Sequence, residues 1–179
     1  MGRTPMHRSK YVRQKAHNIL ELAGISKPPV DVERVAKLLG FKVVPYDFDD
    51  PTVSGMLVLE DEVRAIAVNR VQHRHRQRFT VAHELGHFLS GHEDYDATDF
   101  VERRKFYVDE SFAAHDPNEQ EANEFAAELL MPSDMLKQDL ATGMRDAQQL
   151  AQRYQVSEQA LWIQLSDLDL AERLHPGDQ

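Results

Sequence analysis

Two histidines and a glutamate within five residues, His83-Glu84-Leu85-Gly86-His87, form an H-E-x-x-H motif. Residues four apart on a helix sit one turn apart on the same face, so both imidazoles can reach one tetrahedral Zn²⁺ at about 2.0–2.1 Å. Glu84 cannot easily enter the same ligand set. It can instead touch a water held there and accept its proton as that water attacks a carbonyl. The chemistry this spacing suits is metal-assisted hydrolysis of a peptide bond.

The surroundings strengthen that expectation. From Arg78 to Gly91 the chain reads RFTVAHELGHFLSG, with Phe79, Val81, Ala82, Leu85, Phe88 and Leu89 around the polar trio. The predicted helix is therefore largely buried. An unpaired polar group in such a surround costs a few kcal/mol, which argues for a partner such as a metal over two core histidines bonded only to backbone.

A catalytic zinc site usually takes three protein ligands, so a third is expected downstream. A metzincin continuation fails, because Ser90 stands at its glycine position and Glu93 at its histidine position. Gly91 is expected to cap the helix, with His92 in a solvated loop. The better source is PNEQEANEFAAELLMP, Pro117 to Pro132, which spells a second buried helix. Glu119 and Asn123 share one of its faces with Ala126, Ala127 and Leu130, small enough for close helix approach. Helix phase favours Glu119 over Glu121 as the ligand, with Glu121 and Glu128 pointing elsewhere. Asn123 is placed to bond a ligand histidine's second nitrogen and fix its tautomer.

HELGH preceded by QRFTVA and followed by EANEFAAELLMP resembles the ImmA/IrrE family of gluzincin-like metallo-endopeptidases, over roughly Val30 to Leu165. In that family the two motif histidines and a glutamate upstream of the LLMP proline bind zinc, and that glutamate falls on Glu119. The resemblance implies a site-specific protease whose protein substrate is a helix-turn-helix transcriptional repressor, acting in regulation of a mobile element or a stress response.

The chain has 179 residues, of which 41% are hydrophobic, enough for one moderate domain and a small extension. Its lack of cysteine rules out disulfides, thiolate-ligated zinc and thiol nucleophiles. No run approaches the about 20 apolar residues of a membrane span, and MGRTPMHRSK leads to no secretory hydrophobic segment, so a cytoplasmic protein is expected. A net charge of −9 disfavours general attraction to nucleic acid.

The elements that must carry the site follow from periodicity and caps. A helix is predicted from about Ser9 to Leu22 with Ile19, Leu20 and Leu22 inward, ended by Gly24. After SKPPVD, Asp31 caps a helix over Val32 to Leu39, with Val35, Leu38 and Leu39 on one side and Gly40 ending it. Phe41 to Tyr46 reads as a strand, and Ser54 to Leu59 with Val63 to Val68 as a hairpin about Glu60, Asp61 and Glu62. These make a small antiparallel sheet whose segment Arg64 to Asn69, if it is an edge, can bind substrate by strand addition. The basic run Arg70 to Arg78 includes His73 and His75 and reads as a solvated first helical turn or a contact to the acidic remainder. His7, His17 and His175 read as surface residues.

Between His92 and Pro117, Tyr107 and His115 are alternative donors for a tetrahedral oxyanion. Beyond Pro132 come short helices over Ser133 to Leu140, Asp146 to Tyr154, and from a cap at Ser157. The last pair resembles a helix-turn-helix. Glu158 to Leu165, however, offers Glu158, Gln159 and Gln164 without Lys or Arg, so a structural or substrate-docking pair is expected, with Trp162 and Leu165 in the core or on a partner surface.

The predicted fold class is α+β: a zincin-like metallopeptidase domain over residues 1–132 and a helical, degenerate helix-turn-helix-like extension over residues 133–179. The predicted site is His83, His87 and Glu119 on Zn²⁺, Glu84 as proton acceptor and Asn123 behind a ligand. Other readings are a metal-dependent regulator that displaces a repressor without cutting it, a DNA-binding factor, and one half of a toxin-antitoxin pair.

Overall fold

The computed structural model describes residues 5–60, 63–91 and 116–174. His92, Tyr107, His115 and His175, with the Asp61–Glu62 turn, lie outside the described residues.

Helix α1 spans Pro5–Leu22 and α2 spans Val32–Leu38. The inward stripe of α1 is Val12, Ala16, Ile19 and Leu20, at i, i+4, i+7 and i+8, and Ala23 continues it just past the helix end. That phase turns Leu22 outward, and it is 72% exposed, contrary to its expected place in the core. Asp31 caps α2 as expected, accepting from the Arg34 N–H at 3.0 Å. Val32, Val35 and Ala36 form its buried face, so Leu38 is likewise exposed where the sequence predicted burial.

Three strands form one sheet: β1 (Lys42–Tyr46), β2 (Gly55–Glu60) and β3 (Val63–Asn69), in the order β1-β3-β2. The predicted hairpin is present, β2 and β3 pairing antiparallel from Gly55↔Val68 to Glu60↔Val63. Two expectations are corrected. The sheet is mixed, because β1 runs parallel to β3, from Lys42↔Ala65 to Tyr46↔Asn69. Strand β3 is also central, with Ala65 to Val68 paired on both sides, so it is not the edge that a substrate strand would need. The physical sign lay in the strand itself. Ile66, Ala67, Val68 and Asn69 are buried in succession, the mark of a strand covered on both faces rather than an alternating edge.

Helix α3 spans Arg74–Ser90 and packs along α4, Pro117–Leu130. The two helices approach closely at Gly86, where a Cβ would lie 3.1 Å from the Ala122 Cα, the Ala122 carbonyl oxygen and Phe125 Cδ1. Glycine within HELGH therefore lets the two backbones meet. Facing it, Ala122, Phe125, Ala126, Leu129 and Leu130 are fully buried.

Helices α5 (Ser133–Ala141), α6 (Ala147–Tyr154) and α7 (Glu158–Asp167) follow. Their Leu136, Leu140, Leu150, Tyr154, Leu161 and Leu165 belong to the same apolar cluster as Leu85 and Phe125, while Trp162 packs partly buried against it. Ser157 caps α7, accepting from the Ala160 N–H at 3.1 Å. Gln164, one of the few polar residues of the would-be recognition helix, is not displayed at the surface. It is buried, donating to Glu128 at 3.1 Å and to the Met131 carbonyl at 3.2 Å. Glu128 also accepts from Ser133 N–H and hydroxyl at 2.9 and 2.8 Å, so Gln164 completes the partners of a buried carboxylate. Arg78 on α3 reaches across to the Val30 and Gln155 carbonyls at 2.9 and 3.2 Å, a structural tie rather than a solvated turn.

The α3–α4 contact sets a stability test. Gly86→Val places side-chain carbons against the α4 backbone, which cannot move independently of its buried stripe. A loss of about 1–3 kcal/mol is expected, as for other overpacked cores. Thermal unfolding measures it, and an unchanged midpoint would mean that α4 moves away freely.

Candidate metal centre

Helix α3 is fixed at both ends by its own sequence. His73 acts as N-cap, its Nδ1 accepting from the His75 N–H at 3.2 Å, so His73 serves the helix rather than a metal. Gly91 ends the helix in the left-handed region at φ 64°, as its type predicts. Between them Thr80 to His87 are all buried, with His83 and His87 each 4% exposed and Glu84 6%.

His83 and His87, one turn apart, bring their Nε2 atoms within 2.9 Å of each other. Glu119, in the first turn of α4, faces both: Oε2 lies 3.3 Å from His83 Nε2 and Oε1 3.3 Å from His87 Nε2. The donor atoms of the three residues all lie within 4.8 Å of one another. Asn123, one turn after Glu119, places Oδ1 2.9 Å from His83 Nδ1. An amide oxygen only accepts, so Nδ1 carries a proton, which leaves Nε2, facing Glu119, as the nitrogen that a metal would take.

The residues fit a metal ion. Glu119 Oε2 is buried and has no hydrogen-bond donor, an arrangement that costs stability unless a cation satisfies it. Burial pushes the Glu119 carboxyl up, but contact with His83 and His87 outweighs it and holds the group down at about 2. It is thus ionised at neutral pH, as a ligand must be. Two imidazole nitrogens and one carboxylate are a donor set suited to Zn²⁺ with one position open.

Glu121 turns away, as helix phase predicted. It accepts from Ser90 Oγ at 2.7 Å and lies 3.7 Å from Lys15 Nζ, which donates to the Leu89 carbonyl at 3.1 Å. This clamp of α1, α3 and α4 was not foreseen, because it joins residues far apart in the chain. A second feature was also missed. Ser54 and Gly55, at the start of β2, line a small pocket with Arg76, Phe79, Thr80, His83 and Glu84. The spacing of Arg76, Thr80 and Glu84, at i, i+4 and i+8, was its one legible sign.

A peptidase family model described as IrrE N-terminal-like domain matches residues 36–166. Among solved structures, a Mycobacterium tuberculosis transcriptional regulator is similar in fold, with a TM-score of 0.63 at 19% identity. The match covers 88% of this chain and 46% of that one, so this chain spans about half the length of the solved structure. None of the curated proteins matches.

The geometry separates the two acidic neighbours on α4. Stoichiometric zinc, measured by elemental analysis, is expected in the wild type and in Glu121→Ala but not in Glu119→Ala. Asn123→Ala should retain zinc with affinity lowered about 10–100-fold. Zinc lost equally in Glu119→Ala and Glu121→Ala would refute the ligand assignment.

Proposed function

The chain belongs to the IrrE N-terminal-like domain family of peptidases, and from that premise we propose that it is a zinc-dependent, site-specific endopeptidase. The single observation that carries this reading is the convergence of His83, His87 and Glu119 about one point, with Glu84 buried beside it.

Zinc held by those three residues would polarise the scissile carbonyl and make water a stronger acid. The chain's own groups do the rest. Glu84 accepts the proton of the attacking water as its oxygen bonds to the carbonyl carbon. It then returns that proton to the departing amine nitrogen as the C–N bond breaks. Asn123 is a positioning residue, holding the His83 ring and its tautomer.

Strand β2 is the edge of the sheet beside the site, and we assign substrate alignment to it in place of β3. The Asn69 N–H donates to the Ser54 carbonyl at 2.8 Å. Alternation along an antiparallel pair then turns the backbone groups of Gly55, Leu57 and Leu59 outward. Among the described residues no strand pairs with that edge. The opposite edge, β1, carries Pro45, which cannot donate and so blunts it. An extended peptide can add to β2 through main-chain hydrogen bonds.

The substrate we propose is a helix-turn-helix repressor-like protein, and the setting transcriptional regulation of a mobile element or a stress response. The fold shared with a transcriptional regulator supports that setting. It equally suits a metal-dependent regulator that displaces a repressor without cleavage. Within this reading residues 1–132 form the metallopeptidase unit and residues 133–179 a helical extension. The buried Gln164 and the absence of Lys and Arg in α7 support protein docking over DNA binding there. No helix among the described residues is long and apolar enough to cross a membrane, which is compatible with a cytoplasmic site of action.

Glu84→Gln keeps the shape of the side chain and removes its proton acceptance. Peptide cleavage should fall by about 10²–10⁴-fold while zinc content and thermal stability hold. Relief of repression undiminished in this variant, without cleavage products, would favour the non-proteolytic regulator.

A further inference from the structure

The pocket between the start of β2 and α3 is built around a polar pair. Arg76 Nε donates to Ser54 Oγ at 3.1 Å, and Gln72 Nε2 donates to the same oxygen at 3.2 Å. A hydroxyl oxygen with two incoming donors has both lone pairs engaged, so its own proton is left to donate outward. Ser54 is fixed in turn by its backbone, whose carbonyl accepts from Asn69 at 2.8 Å. One end of the pocket is therefore lined by a guanidinium and a hydroxyl able to donate.

The remaining wall is the Phe79 ring, Thr80 and the backbone of Gly55, leading to His83 and Glu84. Gly55 keeps this wall flat and close to α3. A Cβ there would lie 2.2 Å from Thr80 Cγ2 and 2.8 Å from the Ala67 carbonyl oxygen. Arg76 and Glu84 stand eight residues apart on α3, a rise of about 12 Å. Both residues line the pocket, and a cation at its Arg76 end would meet the guanidinium.

We propose that this pocket receives an acidic side chain, aspartate or glutamate, of the substrate next to the scissile bond, with Arg76 and Ser54 as the specificity-determining pair. The proposal rests on the peptidase reading above. A peptide added along β2 passes Gly55, so a side chain near the cleaved bond is the group that can enter. Arg76 supplies charge-assisted hydrogen bonds to a carboxylate and repels Lys or Arg at the same position.

A synthetic random-sequence peptide library, digested with zinc-loaded protein and read by mass spectrometry, tests this. Wild type should cut with Asp and Glu enriched at one position adjoining the cleaved bond. Arg76→Gln should reduce that enrichment about tenfold, the scale of one charge-assisted hydrogen bond. Arg76→Glu should exchange it for Lys and Arg. Ser54→Ala, which leaves the charge in place, should reduce it by a smaller factor and so serves if either Arg76 variant fails to fold. Cleavage that depends on Glu84 but shows no acidic preference, or the same preference in the Arg76 and Ser54 variants, would overturn the proposal and leave the peptidase reading intact. Absence of any cleavage lost on Glu84→Gln would instead overturn both.

Discussion

The closeness of two helices sets the position of everything chemical in this protein. His83 and His87 share a face of α3 by local geometry, but a ligand set needs a third group from elsewhere, and α4 must carry Glu119 to within 3.3 Å of both Nε2 atoms. That distance requires backbone-to-backbone contact. Gly86 supplies it by leaving its Cβ position to the α4 backbone at Ala122. The motif glycine therefore acts through packing, one residue from a ligand whose geometry it determines. At the other end of α3, Lys15 and Ser90 hold Glu121, so α4 is fixed in rotation as well as distance.

The same contact buries an unusual concentration of ionisable groups. His83, Glu84 and His87 are nearly inaccessible, and Glu119 ionises in spite of its burial because the imidazoles face it. Such a cluster opposes folding unless each member has a partner. Asn123 accepts from one imidazole, leaving its other nitrogen for the shared point, while one Glu119 oxygen lacks any hydrogen-bond donor. The polar atoms converge on one position suited to a cation. Stability given up around this point is the physical counterpart of a site prepared for metal.

The sheet contributes direction. By placing β3 in the middle and β2 at the margin, the order β1-β3-β2 leaves, among the described residues, an unpaired strand edge beside the candidate metal centre, and Pro45 blunts the other margin. Ser54 and Arg76 then join the start of that open strand to the first turn of α3. On the proposed reading this edge would hold extended peptide, and the Ser54–Arg76 pair would discriminate among side chains.

Much of this was legible in the linear sequence because it depends on short-range periodicity. The histidine spacing, the Asp31 and Ser157 caps, the Gly91 stop and the phase separating Glu119 from Glu121 all concern residues within about one or two helical turns. The joint presence of HELGH and FAAELLMP identified the family for the same reason. Tertiary structure alone decided what depended on the partner across a gap. It chose β2 over β3 as the edge, turned Leu22 and Leu38 outward, and buried Gln164 against Glu128. It also joined Ser54 to Arg76 and Lys15 to Glu121. Periodicity specifies which residues share a face, but what that face meets follows from the competition of all the apolar surfaces for one core.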